Sequence, residues 1–437
     1  MFRLCLILSL TTLLQVWAFE LGSSMGTLNI GQKEPSDKPD SSDIGVVDFG
    51  PSISPEGEGG LFPGESFHER LRLLRDSGPV VPAGLSGIPC HLITRYVELE
   101  SAFSDNDGFP AGPTYAASIE PCQGVTFEST DGDEHNILRS LSTQALRSRP
   151  IGRFAESDVA PIADGLIDGF LDDGGGDLVE LFTSKFPFYV FGRRMGLPDD
   201  LRDEYFRWSF DILGYPRDPK IGLSAAAELT SYVEPVLTER RECPADDMLS
   251  SMVVSEKNGR RLTDEEILSH VRAIFAAGAS TTHHGLGNTL YALLKNGDAL
   301  DRLRSEPERI PSAVDEMLRW EPPIGVLPRL VPFDTVVAGQ NFSMGEIVLM
   351  GIASANRDER LYPNPSVFDV ERKPKRVLTF GLGSHHCPGT HLAKTQISIG
   401  IERLLARLPD LRSTDLEASQ PVGCILRGPV SLPVAWR

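Results

Sequence analysis

The chain has no C-x-x-C pair, although it holds six cysteines in 437 residues. Cys5, Cys90, Cys122, Cys243, Cys387 and Cys424 stand far apart. That excludes a disulfide framework and the ligand spacing of a zinc finger, and it fits a reducing compartment. Positive charge is also short. Lys and Arg number 42 against 61 Asp and Glu, a formal net charge of −19, which excludes a general nucleic-acid or anionic-membrane binder. There are no internal repeats, so a solenoid or propeller is excluded. Long apolar runs are lacking too. The run from Leu4 to Phe19 is short for a membrane span and contains Thr11, Thr12 and Gln15. With Arg3 before it and Ala18 near its end, it resembles a secretory leader. Residues 1–24 are therefore set apart as a leader, a weak membrane anchor, or a start placed too early, with Met25 as the true one.

What is present reads as a mainly α protein with a smaller β region. Residues 25–59 are an irregular entry segment rich in Gly, Pro, Ser and Asp, and 60–437 read as one domain. The stretch 103–130 is rich in Gly and Pro and reads as a long functional loop. Beyond residue 134 helical patterns dominate. Thr263 and Glu266 have capping-box spacing, and apolar periodicity then runs for about thirty residues to Asn296-Gly297. The middle of that helix, AAGAS, is nearly bare of side chains. Gly278 there costs about 1 kcal/mol relative to Ala, so it serves either close helix packing or the approach of something bulky and flat. A second helix, IPSAVDEMLRW, stops at Pro322-Pro323.

The loop FGLGSHHCPG, residues 380–389, carries the chemistry. His385, His386 and Cys387 are consecutive, so they cannot all address one metal from a regular element, and no second ligand pair lies nearby. A Cys-His catalytic pair or a buried structural thiol are alternatives. A third reading fits the physics better. Cys387 precedes a helix, whose dipole and free N–H groups stabilise a thiolate, and the surrounding glycines let backbone approach a flat ligand. A thiolate so held is a good axial ligand for haem iron.

The loop resembles the cysteine loop of the cytochrome P450 family, F-G-x-G-x-[HR]-x-C-x-G, through Phe380, Gly381, Gly383, His385, Cys387 and Gly389. Four more motifs agree in order: EMLR (Glu316, Arg319), FDVER (Arg372), AAGASTT, and DEHNILR (His135, Arg139). The resemblance implies haem b (iron protoporphyrin IX) between the long central helix and the cysteine-loop helix, with Cys387 on the iron. It implies that His135, Arg139, Arg329 and His385 contact the propionates, and that Glu316, Arg319 and Arg372 form a buried network supporting the loop. The implied reaction is monooxygenation, in which two electrons, two protons and O2 place one oxygen atom on a C–H bond of a small lipophilic substrate. Gly278, Ser280 and Thr281 form the implied oxygen site. Where the family usually has an acid before the threonine, this chain has Ser280. A hydroxyl can pass a proton but carries no charge at neutral pH.

The resemblance also implies a pocket of Phe109, Tyr115, Ile274, Ala277, Ile324, Gly325, Val326 and Ile425, apolar and without an evident clamp for a carboxylate. No flavin or ferredoxin segment is read in these residues, so electrons are expected from a separate ferredoxin and its NAD(P)H-dependent reductase. Lys373, Lys375 and Arg376 are the expected basic patch for that partner, and Arg372 is expected inside. Those partners are cytosolic, so a cytoplasmic enzyme is expected. Two rivals remain at this stage: a peroxide-driven peroxygenase and a haem-thiolate sensor.

Overall fold

The structure is a computed structural model and describes residues 46–50, 62–374 and 376–437. The expected leader over 1–24, most of the entry segment and Lys375 lie outside the described residues. Five strands form the larger sheet: β1 (Val47–Asp48), β2 (Val80–Leu85), β3 (Ile88–Ile93), β4 (Leu327–Leu330) and β5 (Ile347–Met350), in the order β1-β2-β3-β5-β4. β2 and β3 join through Ser86 and Gly87, both at positive φ, the geometry that matches strand twist in a two-residue turn. The Asp48 carboxylate accepts both turn N–H groups at 2.8 and 2.6 Å. β4 runs antiparallel to β5 with Arg329 opposite Val348, which fixes where the Arg329 guanidinium emerges.

The helices that position the site are α1 (Glu65–Ser77), α2 (Tyr96–Ser104), α3 (Gly112–Ser118), α4 (Gly132–Ser142), α5 (Phe186–Met195), α6 (Tyr205–Leu213), α7 (Pro219–Glu242), α8 (Asp264–Lys295), α9 (Ile310–Trp320) and α10 (Thr390–Arg407). The stretch 103–130 is not the long loop its composition suggests. It contains α3 and a turn of helix at Glu120–Gln123. Pro113 and Pro121 sit in the first turns, where the missing N–H is an orphan anyway and the fixed φ favours a helix start.

α8 is the spine. Its capping box forms as expected: Glu266 N–H donates to Thr263 Oγ1 at 3.2 Å, and Thr263 N–H to Glu266 Oε2 at 2.8 Å. It packs against α5, α6 and α10 and is buried on nearly every side. Gly278 answers to this packing: a Cβ there would lie 2.6 Å from the Phe191 ring of α5.

Burial has a consequence for acid stability. His68, His270 and His283 are buried, and burial pushes each from an ordinary value near 6.5 down to about 4. Between those values the unfolded chain binds protons that the folded one refuses, so this stabilisation is complete above pH 6.5 and is lost as pH falls toward 4. Thermal unfolding at pH 7.5, 6 and 5 is expected to show a progressively lower Tm. A Tm unchanged across that window would contradict it.

Candidate active site

The cysteine loop is held by its own backbone and by two helices. Gly381 and Gly383 take positive φ, and a Cβ on Gly383 would lie 2.7 Å from the Phe103 carbonyl of α2. Only glycine fits there without strain. Cys387 N–H donates to the Phe380 carbonyl at 2.9 Å, closing the loop, and the Asn106 side chain accepts from Ser384 N–H at 3.2 Å and Ser384 hydroxyl at 2.7 Å. Burial pushes the Cys387 thiol up, while the Gly389 N–H, the Arg139 charge and the Thr390 hydroxyl pull the other way. The helix start alone therefore does not make a thiolate here. A cation on the sulfur would.

Behind the loop lies a buried polar network. Arg319 donates twice to Glu316 at 2.7 and 2.8 Å, and both side chains are fully buried. Arg319 also reaches the carbonyls of Asn356, Pro365 and Val367. Arg372 donates to Glu316 at 3.0 Å and to the carbonyls of Pro363 and Asn364. Asn356 carries the network to the loop: its Oδ1 accepts Leu378 N–H at 2.9 Å, and its amide donates to the Thr379 hydroxyl at 2.9 Å. Leu378 and Thr379 directly precede Phe380. The paired motif EMLR thus fixes the segment that presents Cys387.

Two guanidiniums near the loop lack an acid within ion-pair distance among the described residues. Arg139 of α4 donates to the His386 carbonyl, and its Nη1 is buried without a partner. Arg329 is 6% exposed, lies over the Tyr115 ring at 5.8 Å and donates to the Pro328 carbonyl. Buried cations without an anion are costly, and guanidiniums suit carboxylates. The two histidines are placed differently. His135 lies between the carbonyls of Phe127 (2.7 Å) and Ser384 (3.0 Å); burial and the neighbouring His385 push it down, and a neutral ring has only one N–H to donate. His385 meets Asp131 at 2.8 Å, its ring 4.0 Å from that of His135. A raised thiol and two acid-free guanidiniums fit a metal-bearing dianionic ligand such as haem. Replacing Arg139 by leucine removes a charged hydrogen-bond donor worth about 1.5–3 kcal/mol, roughly ten- to hundredfold in affinity. The expected result is weaker haem retention, read as Soret absorbance relative to protein absorbance. Full retention would take Arg139 out of the cradle.

A cavity of about 300 Å³ lies against α8. Ala277, Ser280 and Thr281 form one wall, with Tyr115, Ile324, Arg329 and Ile425 on others. Ile324 pairs with Leu426 in an isolated bridge, which brings two distant segments to one wall. Phe109, Ile274, Gly325 and Val326 do not line this cavity. Phe109 packs against Phe342, and Ile274 is buried in the main core. Val326 belongs to the core beside the sheet, and Gly325 is pressed against the Cys424 carbonyl, 2.6 Å from where its Cβ would be. Sequence reasoning missed Glu128, Leu213, Arg217 and Leu426, which do line the cavity. Glu128 is half-buried, and burial pushes its carboxyl up to about 7 against the pull of Arg139. Nothing in the local sequence FEST marks it; only the fold brings it to this wall.

On the other side of Cys387 a surface depression of about 660 Å³ is lined by Arg139, Arg147, His386 and His391. A smaller one beside Phe380 is lined by Arg376, His386 and Lys394. Lys373 is exposed, Arg376 pairs with Glu100 at 2.9 Å, and Arg372 faces inward to Glu316. No helix of the described residues is long and apolar enough to cross a membrane, and no group of three or more His, Cys, Asp or Glu among them could hold a metal ion.

The helical body carries one braced cysteine loop and a long helix with a small-residue stretch against a cavity, and known proteins place it further. The family profile described as "Cytochrome P450" matches residues 224–409. The "Steroid C26-monooxygenase" of Mycobacterium tuberculosis is 32% identical over 361 residues, covering 77% of this chain and 97% of that protein. The "Vitamin D(3) 25-hydroxylase" of Pseudonocardia autotrophica is 32% identical over 355 residues, covering 79% and 87%. Among solved structures, a cytochrome P450 from Chondromyces apiculatus matches with TM-score 0.79 and 28% identity over 89% of this chain and 98% of that one. One from Bacillus megaterium in complex with testosterone matches with TM-score 0.76 and 26% identity, covering 84% and 99%. The chain belongs to the cytochrome P450 family. It is an oxidoreductase that incorporates oxygen, and membership implies a haem cofactor.

Proposed function

We propose that the protein hydroxylates a C–H bond of a steroid-sized lipophilic substrate, with haem b as cofactor and electrons from a separate ferredoxin and its NAD(P)H-dependent reductase in the cytoplasm. The observation that carries the reading is the cavity itself: it is mostly apolar, and Ala277, Ser280 and Thr281 border it on the face of α8. Haem, when bound, supplies the binding and reductive splitting of O2. The chain does the rest. Cys387 would ligate the iron, Arg139 and Arg329 would hold the propionates, and the Tyr115 ring, 5.8 Å from the Arg329 guanidinium, packs against it. Ile324, Ile425 and Leu426 present apolar surface that orients the substrate and excludes water. The Thr281 hydroxyl, which donates to the Ala277 carbonyl at 3.0 Å, offers its lone pairs to a water or a protonated oxygen at the cavity wall. The depression beside Cys387 carries Arg147 on its wall and offers that positive charge on the cysteine side to an acidic partner.

Support for the substrate class comes from the relatives named for steroid and vitamin D oxidation and from the testosterone complex. Glu128 supplies one observation in favour of peroxide chemistry, since an acid on the cavity wall is what a peroxygenase needs. A single experiment separates them. Testosterone and vitamin D3 are incubated with the haem-loaded protein, once with ferredoxin, reductase and NADPH, and once with hydrogen peroxide alone. A hydroxylated product in the first mixture supports the proposal. Product only with peroxide replaces it with the second reading, and product in neither overturns the substrate class.

A further inference from the structure

One face of α8 carries Ser280, His284 and Asn288 at four-residue intervals, so their side chains line up about 6 Å apart along the helix. All three are buried. Ser280 borders the cavity and donates to the Ala276 carbonyl at 2.8 Å, leaving its lone pairs free. Neither ring nitrogen of His284 has a hydrogen-bond partner among the described residues. Asn288 donates to the carbonyls of Glu321 (2.9 Å) and Arg427 (3.1 Å), yet its Oδ1 has none.

The face runs on into a buried ion cluster. The Glu321 carboxylate is held by His68 at 2.9 Å and Arg427 at 2.6 Å, and Arg357 sits beside it, reaching Glu65 at 2.9 Å. Glu65 is 47% exposed by side chain, so the cluster ends in solvent. Arg357 Nη2 and His68 Nδ1 also lack hydrogen-bond partners among the described residues. Buried polar atoms without partners are rare in native proteins. A run of them from an active-site cavity to the surface calls for ordered internal water, which bonds to two to four polar groups at such places.

We propose that His284 is the proton-relay residue of this enzyme, joined by ordered water to Ser280 on one side and to Asn288 and the Glu321 cluster on the other, in place of the carboxyl that Ser280 replaces. This rests on the oxygenase reading above. Only O–H and N–H bonds change. One ring nitrogen takes a proton from water on the Glu65 side as the other gives its proton to water on the Ser280 side, and the ring begins and ends neutral. Burial holds His284 well below its usual range, so it is not trapped as a cation. His283 is the natural control. Its ring lies 4.8 Å from that of His284 and its Nδ1 also lacks a hydrogen-bond partner among the described residues, but three aromatic rings, Phe188, Phe206 and Phe210, stand around it where Phe210 alone stands against His284.

The test uses the haem-loaded enzyme. A high-resolution crystal structure is expected to show ordered water within hydrogen-bond distance of both His284 nitrogens; a dry ring overturns the proposal without any assay. In the ferredoxin system with testosterone, His284→Phe is expected to keep the carbon monoxide spectrum of the wild type. Its product per NADPH should fall roughly tenfold, less than for a group that transfers the proton directly, because Ser280 keeps its own water. Peroxide should rise in step, and the solvent deuterium isotope effect should change. His284→Gln, which can still carry water, is expected to recover most of the coupling, and His283→Phe to leave it intact. Undiminished coupling in His284→Phe, no recovery in His284→Gln, or an equal loss in His283→Phe would each overturn the relay. No wild-type turnover of testosterone in either mixture would instead count against the substrate reading, while the crystal still decides on the water.

Discussion

With serine in place of Cys387, the reduced protein is expected to lose the strongly red-shifted Soret band that carbon monoxide produces in the wild type, and oxygen insertion should fall below detection. The cause is electronic, not architectural. The Phe380–Cys387 backbone bond at 2.9 Å does not involve the sulfur, and neither do the positive-φ turns at Gly381 and Gly383, so the loop keeps its shape. A serine hydroxyl, however, stays protonated at neutral pH and gives the iron no anionic ligand to push electron density toward O–O cleavage. Burial already opposes ionisation at this position, even for a thiol. A variant that kept the red-shifted band would show that another residue ligates the iron.

Arg319→Ala has the largest expected effect on folding. It strips the partner from Glu316, which is fully buried, and removes the donor to the carbonyls of Asn356, Pro365 and Val367. Breaking a buried pair by removing one member costs about 3–5 kcal/mol, which corresponds to a Tm lower by about 4–6 °C in a domain of this size. Haem content should drop with it, because Asn356 is the link between this network and Leu378 and Thr379 at the root of the loop. Arg319→Lys should fare nearly as badly, since one ammonium cannot reproduce a forked contact with a carboxylate and three separate carbonyls. Thermal unfolding and the carbon monoxide difference spectrum measure both effects. An Arg319→Ala protein with wild-type Tm would mean the network is ornamental.

Much of the site was readable because its residues are bound to one another by local spacing. Glu316 and Arg319 are one helical turn apart, so a four-letter motif already implies a pair; what the motif could not say is whether the pair is a surface ion pair or a buried brace. The capping box of Thr263 and Glu266 was similarly local, and it formed as spaced. Where composition was read without geometry it misled. The glycines and prolines of 103–130 suggested a loop, and the structure starts two helices on those prolines. Gly278 allowed two explanations, and the Phe191 ring supplies the one that the sequence could not rank.

The cavity wall shows the division most clearly. Tyr115, Ala277, Ile324 and Ile425 line it, whereas Phe109, Ile274, Gly325 and Val326, equally apolar and close to them in the chain, do not. A side chain's direction depends on which neighbour its backbone packs against, and those neighbours lie a hundred or more residues away. The sequence by itself determined the cysteine-loop motif, the long helix and the family, because these rest on residue types at short fixed separations, where backbone geometry leaves few choices. Only the tertiary structure decided that Glu128 reaches the cavity, that Arg139 and Arg329 have no acid within ion-pair distance among the described residues, and that Ser280, His284 and Asn288 are buried on one face of α8. Each depends on long-range packing, which burial energy selects over the whole chain and no short stretch encodes.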